Sequence, residues 1–173
     1  KVDAIRRERD AEEARQHAKA RDLAAAIWKS AQPAPEDHPY LVRKGSKPHG
    51  ARVHEGKLVI PMRDTEVNLC SLLYIGSDGE KLFLTGGRVQ GCYYGIGKPN
   101  GVLFIAEGYA TGTTVHEATG HSVAIAFNAG NLIHVAKALR KKFPQTAIVI
   151  AGDNDASGVG QRAATEAAQA ING

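Results

Sequence analysis

Two acids one residue apart, Asp153 and Asp155, follow directly on the apolar run Ile148-Val149-Ile150-Ala151 and Gly152. A strand that stays extended points residues i and i+2 to the same side, so both carboxylates face one small volume. At about 6–7 Å and an effective dielectric of about 20 they repel by roughly 2–3 kcal/mol. A third acid, Glu107, ends a similar apolar run at 102–106. The chemistry open to three converging carboxylates is divalent-cation binding. Magnesium takes a few carboxylates together with waters and substrate phosphates. Such a site aligns a phosphate, activates the attacking oxygen and stabilises the leaving one.

Simpler roles for these residues explain less. The sequence Asp-Asn-Asp-Ala-Ser-Gly at 153–158 begins like a calcium loop, but Ala164 stands where the bidentate Glu is needed. Gly158, Gly160 and Ala163 fit G-x-G-x-x-A, yet two acids separate them from the strand that a dinucleotide turn must follow at once. The stretch GYATGTT at 108–114 has the glycines and threonines of a phosphate loop without its lysine. Capping a helix needs one Asp, which leaves the second and Glu107 unexplained. Gly108 and Gly112 admit close backbone approach beside a helix start, where a phosphate can sit. Asn128 and Asn131 end the middle strand on the same edge; Asn131 reads as a helix cap and Asn128 as a candidate substrate contact.

The acids are placed by an alternation of strands and helices. Residues 102–106, 123–127 and 147–151 read as strands, and 110–119, 131–143 and 157–171 as helices. That order predicts a parallel sheet with right-handed crossovers, its site beyond the carboxyl ends of the strands. Residues 1–32 are rich in Ala, Arg and Glu and read as a long helix whose last turns dock through Leu23, Ile27 and Trp28. QPAPED at 32–37 reads as a linker, Asp37 as the cap of a short helix, and Gly45 as its end. Between 52 and 96 short apolar runs predict antiparallel strands, with the Asp-Gly of SDGEK in a hairpin. The expected organisation is an N-terminal helix (1–32), a basic α+β subdomain (33–100) and an α/β domain (101–173).

The chain has 173 residues, 43% of them apolar and 23% charged, a net charge of +4 and a pI near 9.1. That balance is ordinary for a globular protein and compatible with a polyanionic partner. No apolar run is long enough for a membrane helix, and no leader opens the chain, so the expected setting is cytoplasmic with no membrane partner. The lone Cys70 and Cys92 have no zinc-ligand spacing and read as reduced thiols. Beginning at Lys1 suggests a piece of something longer.

Glu-Gly-Tyr after a first strand and D-x-D-x-x-G after a third resemble the Toprim domain, shared by bacterial-type primases, type IA and II topoisomerases and some nucleases. EGYATG and DNDASGVGQRAA are most similar to primases, the upstream LVIPMRD…KLFLTGGRVQGCYYGIG resembles the segment before Toprim in bacterial replicative primases, and FNAGNL…FPQTAIVIAGDND is most similar to Toprim primases of phages and plasmids, often fused to a helicase. The resemblance implies a Toprim-like three-layer α/β fold that makes short RNA primers on single-stranded DNA from ribonucleoside triphosphates. It implies Glu107, Asp153 and Asp155 as catalytic residues binding Mg²⁺ or Mn²⁺, and a replicative helicase, or a fused helicase domain, as partner. Lys81 and Arg88 match the family's basic residues that hold template or nucleotide; Arg63 and Lys98 are further candidates, with Gly108 and Asn128 beside the phosphates. The alternatives are phosphodiester cleavage of the Toprim nuclease or topoisomerase kind, and a non-catalytic module that binds single-stranded DNA.

Overall fold

A computed structural model describes residues 2–153 and 156–172. The elements run α1 (Val2–Ser30), β1 (Gln32–Pro33), α2 (Pro39–Lys44), β2 (Arg52–His54), β3 (Lys57–Arg63), β4 (Leu69–Ile75), β5 (Lys81–Phe83) and β6 (Tyr94–Ile96). They continue as β7 (Val102–Ala106), α3 (Tyr109–Thr119), β8 (Ser122–Ile125), α4 (Ala129–Lys142), β9 (Ala147–Ala151) and α5 (Val159–Asn172). Two sheets result. β1 to β5 form an antiparallel meander in sequence order, and the second sheet has the order β6-β8-β7-β9.

In the second sheet β7 pairs parallel with β8 on one side and β9 on the other, as the alternation predicts. The sheet also has a strand that the pattern placed elsewhere. β6, from the segment read as the basic subdomain, lies antiparallel against β8 and closes that edge. Alternation along β7 sorts the two faces. Leu103 and Ile105 pack with Leu132, Val135, Ala136 and Leu139 of α4 and Ala167 of α5. Phe104 and Ala106 face the other way, toward α3 and the meander. A Cβ on Gly112 would lie 2.5 Å from Ile125 Cγ1, so only glycine lets α3 lie this close to β8.

The central strands β3 and β4 of the meander are buried on both faces, which is why β3 reads as a near-continuous apolar run. Val59 and Leu72 meet α1 through Ala24, with Ile27 and Trp28 beside them. Leu58, Ile60 and Met62 point to the second sheet. The dock of α1 differs from the expected one. Ala20 and Ala24, one turn apart, are its buried residues, whereas Leu23 is half exposed; small side chains allow the helix to lie close to the strands. Arg52 fixes this contact, its guanidinium 4.4 Å above the Trp28 ring and donating to Trp28 O at 2.5 Å.

Three local assignments need correction. The cap of α2 is His38, not Asp37: its Nδ1 accepts from Tyr40 N while Nε2 faces Gly56 O, so one buried imidazole serves both. Gly45 ends α2 in the left-handed region, as expected. The linker at 32–37 contains β1, paired with β2. Asn128, not Asn131, caps α4, its Oδ1 accepting from Asn131 N at 2.9 Å. The buried Asn131 joins the two parts of the chain: Nδ2 donates to Cys92 O and Ala126 O at 2.9 and 2.8 Å, and Oδ1 accepts from Gly91 N at 2.8 Å.

Truncating Asn131 leaves two buried carbonyls and the half-buried Gly91 N–H without these partners, each expensive to leave unmatched. Asn131→Ala is expected to lower the unfolding free energy by about 2–4 kcal/mol, and Asn128→Ala by about 1 kcal/mol, the value of a cap. Urea midpoints compare the two; equal losses would contradict the joining role.

Candidate active site

The register places the site. Ala106 pairs with Ala151, so Glu107 and Asp153 emerge just past the same edge of two neighbouring parallel strands. Glu107 is half-buried, with Oε2 closed to solvent. Asp153 Oδ1 accepts from Thr111 Oγ1, in the first turn of α3, at 2.9 Å. The two acids share one glycine neighbour. A Cβ on Gly160 would lie 3.2 Å from Glu107 Oε2, 2.6 Å from Asp153 O and 3.2 Å from Asp153 N. The start of α5 is thereby pressed against both acids, which gives Gly160 a physical role in place of a dinucleotide fingerprint.

Gly108 sits at the centre of the site. A Cβ there would be 3.8 Å from Thr111 Oγ1, 3.9 Å from Asp153 Oδ2 and 4.0 Å from Lys81 Nζ. Lys81 and Asp153 thus approach Gly108 from the two sheets. Its strand is held to the carboxyl edge by Phe83, whose ring meets Phe127 edge-on with centroids 6.5 Å apart. Phe127 itself adopts φ +75°, which is costly for a bulky residue and turns the chain sharply from β8 toward α4. A cavity of about 320 Å³ opens here, lined by Arg43, Lys44, Lys81, Gly108, Thr111 and Asp153 among others. Three cations and two carboxylates, Asp78 and Asp153, therefore border the pocket, an arrangement with a small positive excess that can take a polyphosphate bound through a cation.

The other candidates are dispersed. Arg88 donates to Asp64 Oδ2 at 2.9 Å and lies 3.0 Å from Cys70 Sγ, in a separate cleft. Arg63 ends β3 and donates to Val67 O. Lys98 lines a cavity with Leu103 and Ser122, at the amino ends of β7 and β8, so it is on the opposite edge from Glu107. Asn128 lies at the carboxyl edge but is occupied as a cap. Tyr94 and Tyr109 pack together, their hydroxyls donating to His49 O and Pro48 O, so both brace the interface between the sheets. Sequence reasoning missed Arg43, Lys44 and Thr111. Thr111 carried a usable signal, since it lies one helical turn beyond Glu107.

Asp155 lies outside the described residues. Among those described, no three His, Cys, Asp or Glu side chains gather closely enough to hold a metal ion. The pair Glu107 and Asp153 still fits a hard cation, because magnesium is commonly held by one or two carboxylates, with waters and substrate phosphates completing its shell. Gly160 keeps space open beside both acids where a side chain would intrude.

Residues 102–173 match the Toprim domain family. Two Escherichia coli proteins, each named DNA primase TraC, are 39% identical over 177 residues and 38% identical over 156 residues. The matches cover 94% and 82% of this chain but 17% and 11% of those proteins, so the chain spans less than a fifth of their length. Among solved structures, the primase fragment of the bacteriophage T7 primase-helicase protein superposes with a TM-score of 0.60 at 17% identity, covering 82% of this chain and 66% of that one. A chain in the structure of the T7 lagging-strand DNA polymerase with primase domains bound to an RNA/DNA hybrid and dTTP gives 0.55 at 20% identity, covering 75% and 67%. These two are likenesses of fold. Residues 102–173 thus carry the likeness to the Toprim domain, and over nearly its whole length the chain is similar to a protein named DNA primase TraC.

Proposed function

We propose that this chain is the catalytic core, or a fragment of the core, of a DNA primase that joins ribonucleotides on single-stranded DNA. The observation that carries the reading is the meeting of Glu107 and Asp153 beyond one sheet edge, with Lys81 approaching the adjacent Gly108 from the other sheet. The names of the similar E. coli proteins support it, as does the RNA/DNA hybrid bound to the T7 primase domains.

Glu107 and Asp153, with Asp155, would hold Mg²⁺ or Mn²⁺; a bound divalent ion offsets charge on phosphate oxygens and acidifies the attacking hydroxyl. The rest of the work falls to the chain. Thr111 fixes the rotamer of Asp153 through its hydrogen bond. Arg43, Lys44 and Lys81 bind and orient the triphosphate in the cavity they line. The 3′-hydroxyl oxygen of one nucleotide bonds to the α-phosphorus of the next, the bond to the β-phosphate oxygen breaks, and pyrophosphate leaves. The carboxylate of Glu107 takes the hydroxyl proton. Of the basic residues inferred from the resemblance, Lys81 has the best-supported place at this reaction. Arg88 and Arg63 contribute to template binding from farther out, and Lys98 has no role in the step. Single-stranded DNA, ribonucleoside triphosphates and a helicase, fused or separate, are the partners, in a cytoplasmic setting.

Glu107→Gln removes the charge and keeps the shape. Dinucleotide synthesis on a single-stranded template with Mg²⁺ is expected to fall by about 100-fold or more, the scale of losing one electrostatic contributor. Undiminished synthesis would refute the reading. Lys81→Ala is expected to raise the nucleotide KM by about tenfold, equal to roughly 1.4 kcal/mol, with a smaller change in kcat; an unchanged KM would remove Lys81 from the triphosphate. Gly160→Ala forces a Cβ into the Asp153 backbone and is expected to destabilise the fold by about 1–3 kcal/mol and to weaken Mg²⁺ binding. Gly130→Ala, whose nearest neighbour would be Asn128 Oδ1 at 3.5 Å, is the tolerated control in both melting and metal titration.

A further inference from the structure

Gly95 stands opposite Ala124 in the pairing of β6 with β8. Its neighbours Tyr94 and Ile96 are buried toward the meander, so alternation turns Gly95, like Tyr93, to the face on which α4 packs. Two small residues side by side leave that face hollow. A cavity of about 470 Å³ opens over them, at the amino ends of β7 and β8 and so on the opposite edge from Glu107. Leu103, Leu139 and the rings of Tyr93 and Phe143 wall it, and the charged residues lining it are two lysines, Lys98 and Lys142, with no acid among them. Its rim carries a strained residue. Val67, which also lines the cavity, is 61% exposed and adopts φ +69°, a left-handed conformation that a β-branched residue rarely takes. Val67 N donates to Asp64 O at 3.0 Å and Val67 O accepts from Arg63 Nη1 at 2.9 Å, which pins the backbone there. Lys142 ties the same turn to α4, its Nζ donating to Thr65 O. Arg140 donates to Thr146 O at 2.8 Å and Pro144 O at 3.2 Å, so its guanidinium offsets the negative end of α4 beside the lysines.

We propose that this cavity is a second binding site, for a small organic anion with a flat apolar body of one or two rings. Apolar and aromatic walls with a few placed polar groups are the usual make-up of a small-molecule site, and the volume lies in the usual range. The rings of Tyr93 and Phe143 take the apolar body by stacking or edge contact. The two ammonium groups, which no carboxylate of the cavity neutralises, take the anionic group through charge-assisted hydrogen bonds. Backbone strain persists only where the surroundings over-determine it, and it clusters at ligand sites; here it holds an apolar side chain at the rim. A ligand seated there touches β6, β8, the end of α4 and the turn at 64–67 together, and so braces the meander against the second sheet. The proposal does not depend on the priming reading, because none of these residues lines the cavity beside Asp153.

The test uses the full chain and two probes of the same shape, 8-anilinonaphthalene-1-sulfonate and N-phenyl-1-naphthylamine, which lacks the sulfonate. Fluorescence titration is expected to show one saturable site per chain, with the sulfonate held about tenfold more tightly than the uncharged probe. Replacing both lysines, Lys98→Ala with Lys142→Ala, should bring the two affinities together. A Cβ on Gly95 would meet nothing nearer than Tyr93 Cε2 at 3.7 Å, so Gly95→Val fills the cavity from its floor without a clash. It should abolish binding of both probes while the melting temperature holds. Val67→Asn suits the left-handed backbone and should lower affinity severalfold with no loss of melting temperature. Absence of saturable binding, equal affinity of the native chain for both probes, or binding that survives Gly95→Val would overturn the proposal. So would loss of sulfonate binding in Lys81→Ala with the lysine pair left intact, since the probe would then occupy the cavity beside Asp153.

Discussion

Two carboxylates at the ends of neighbouring strands are an electrostatic liability, and the parallel pairing of β7 with β9 imposes it. Once Ala106 is opposite Ala151, Glu107 and Asp153 have nowhere to go but the same edge. Parallel strands bring their carboxyl ends together by construction, which is why such sheets collect functional groups there. The surroundings answer the repulsion in parts. Thr111 donates to Asp153, Lys81 places an ammonium nearby, and the start of α5 is in contact through Gly160. A divalent ion answers it more fully, because both charges then become attractive.

The second requirement is that the meander be held still against that edge. Lys81, Arg43 and Lys44 belong to the part before β6, whereas the acids belong to the part after it. A rotation between the two parts would separate cations from acids. Several contacts oppose it. β6 is built into the second sheet beside β8. Asn131 satisfies backbone groups from both parts, and Phe127 receives Phe83. Tyr109, the tyrosine of the Glu-Gly-Tyr motif, is buried against Tyr40 and Tyr94 and holds the 46–50 loop through Pro48 O. The residue next but one to a candidate catalytic acid is therefore a structural brace. The 46–50 loop is tied to α3 again by Glu117, which accepts from Lys47 N at 2.9 Å and meets His49 at 2.5 Å.

What the residues announced and what they concealed divide along the range of the forces involved. The alternation at 102–171, the αL glycine at 45, the hairpin at SDGEK and the long Ala-rich helix are local facts, set by propensity, period and turn chemistry. They were readable, and so was the placement of Glu107 and Asp153 past one sheet edge, because period and topology together leave few arrangements. Caps were readable only in kind. Asp37 and Asn131 both had the right chemistry, but His38 and Asn128 won because burial and the exit angle of the chain decided between neighbours.

Longer-range outcomes carried no such mark. That β6 leaves its own segment to complete the second sheet depends on which edge lacks a partner once everything else has packed. That Lys81 comes to Gly108 while Lys98 sits at the far edge depends on strand direction, since β6 runs antiparallel to β8 and carries the following residues to the amino ends. The same holds for Arg43 and Lys44 turning toward a pocket built largely by distant residues. The chain's composition and periodicity were enough to specify a parallel sheet ending in acids, because those are short-range consequences of backbone geometry. Which cations face those acids was left to packing, because side chains distant in sequence become neighbours only after two buried sheets have settled against each other.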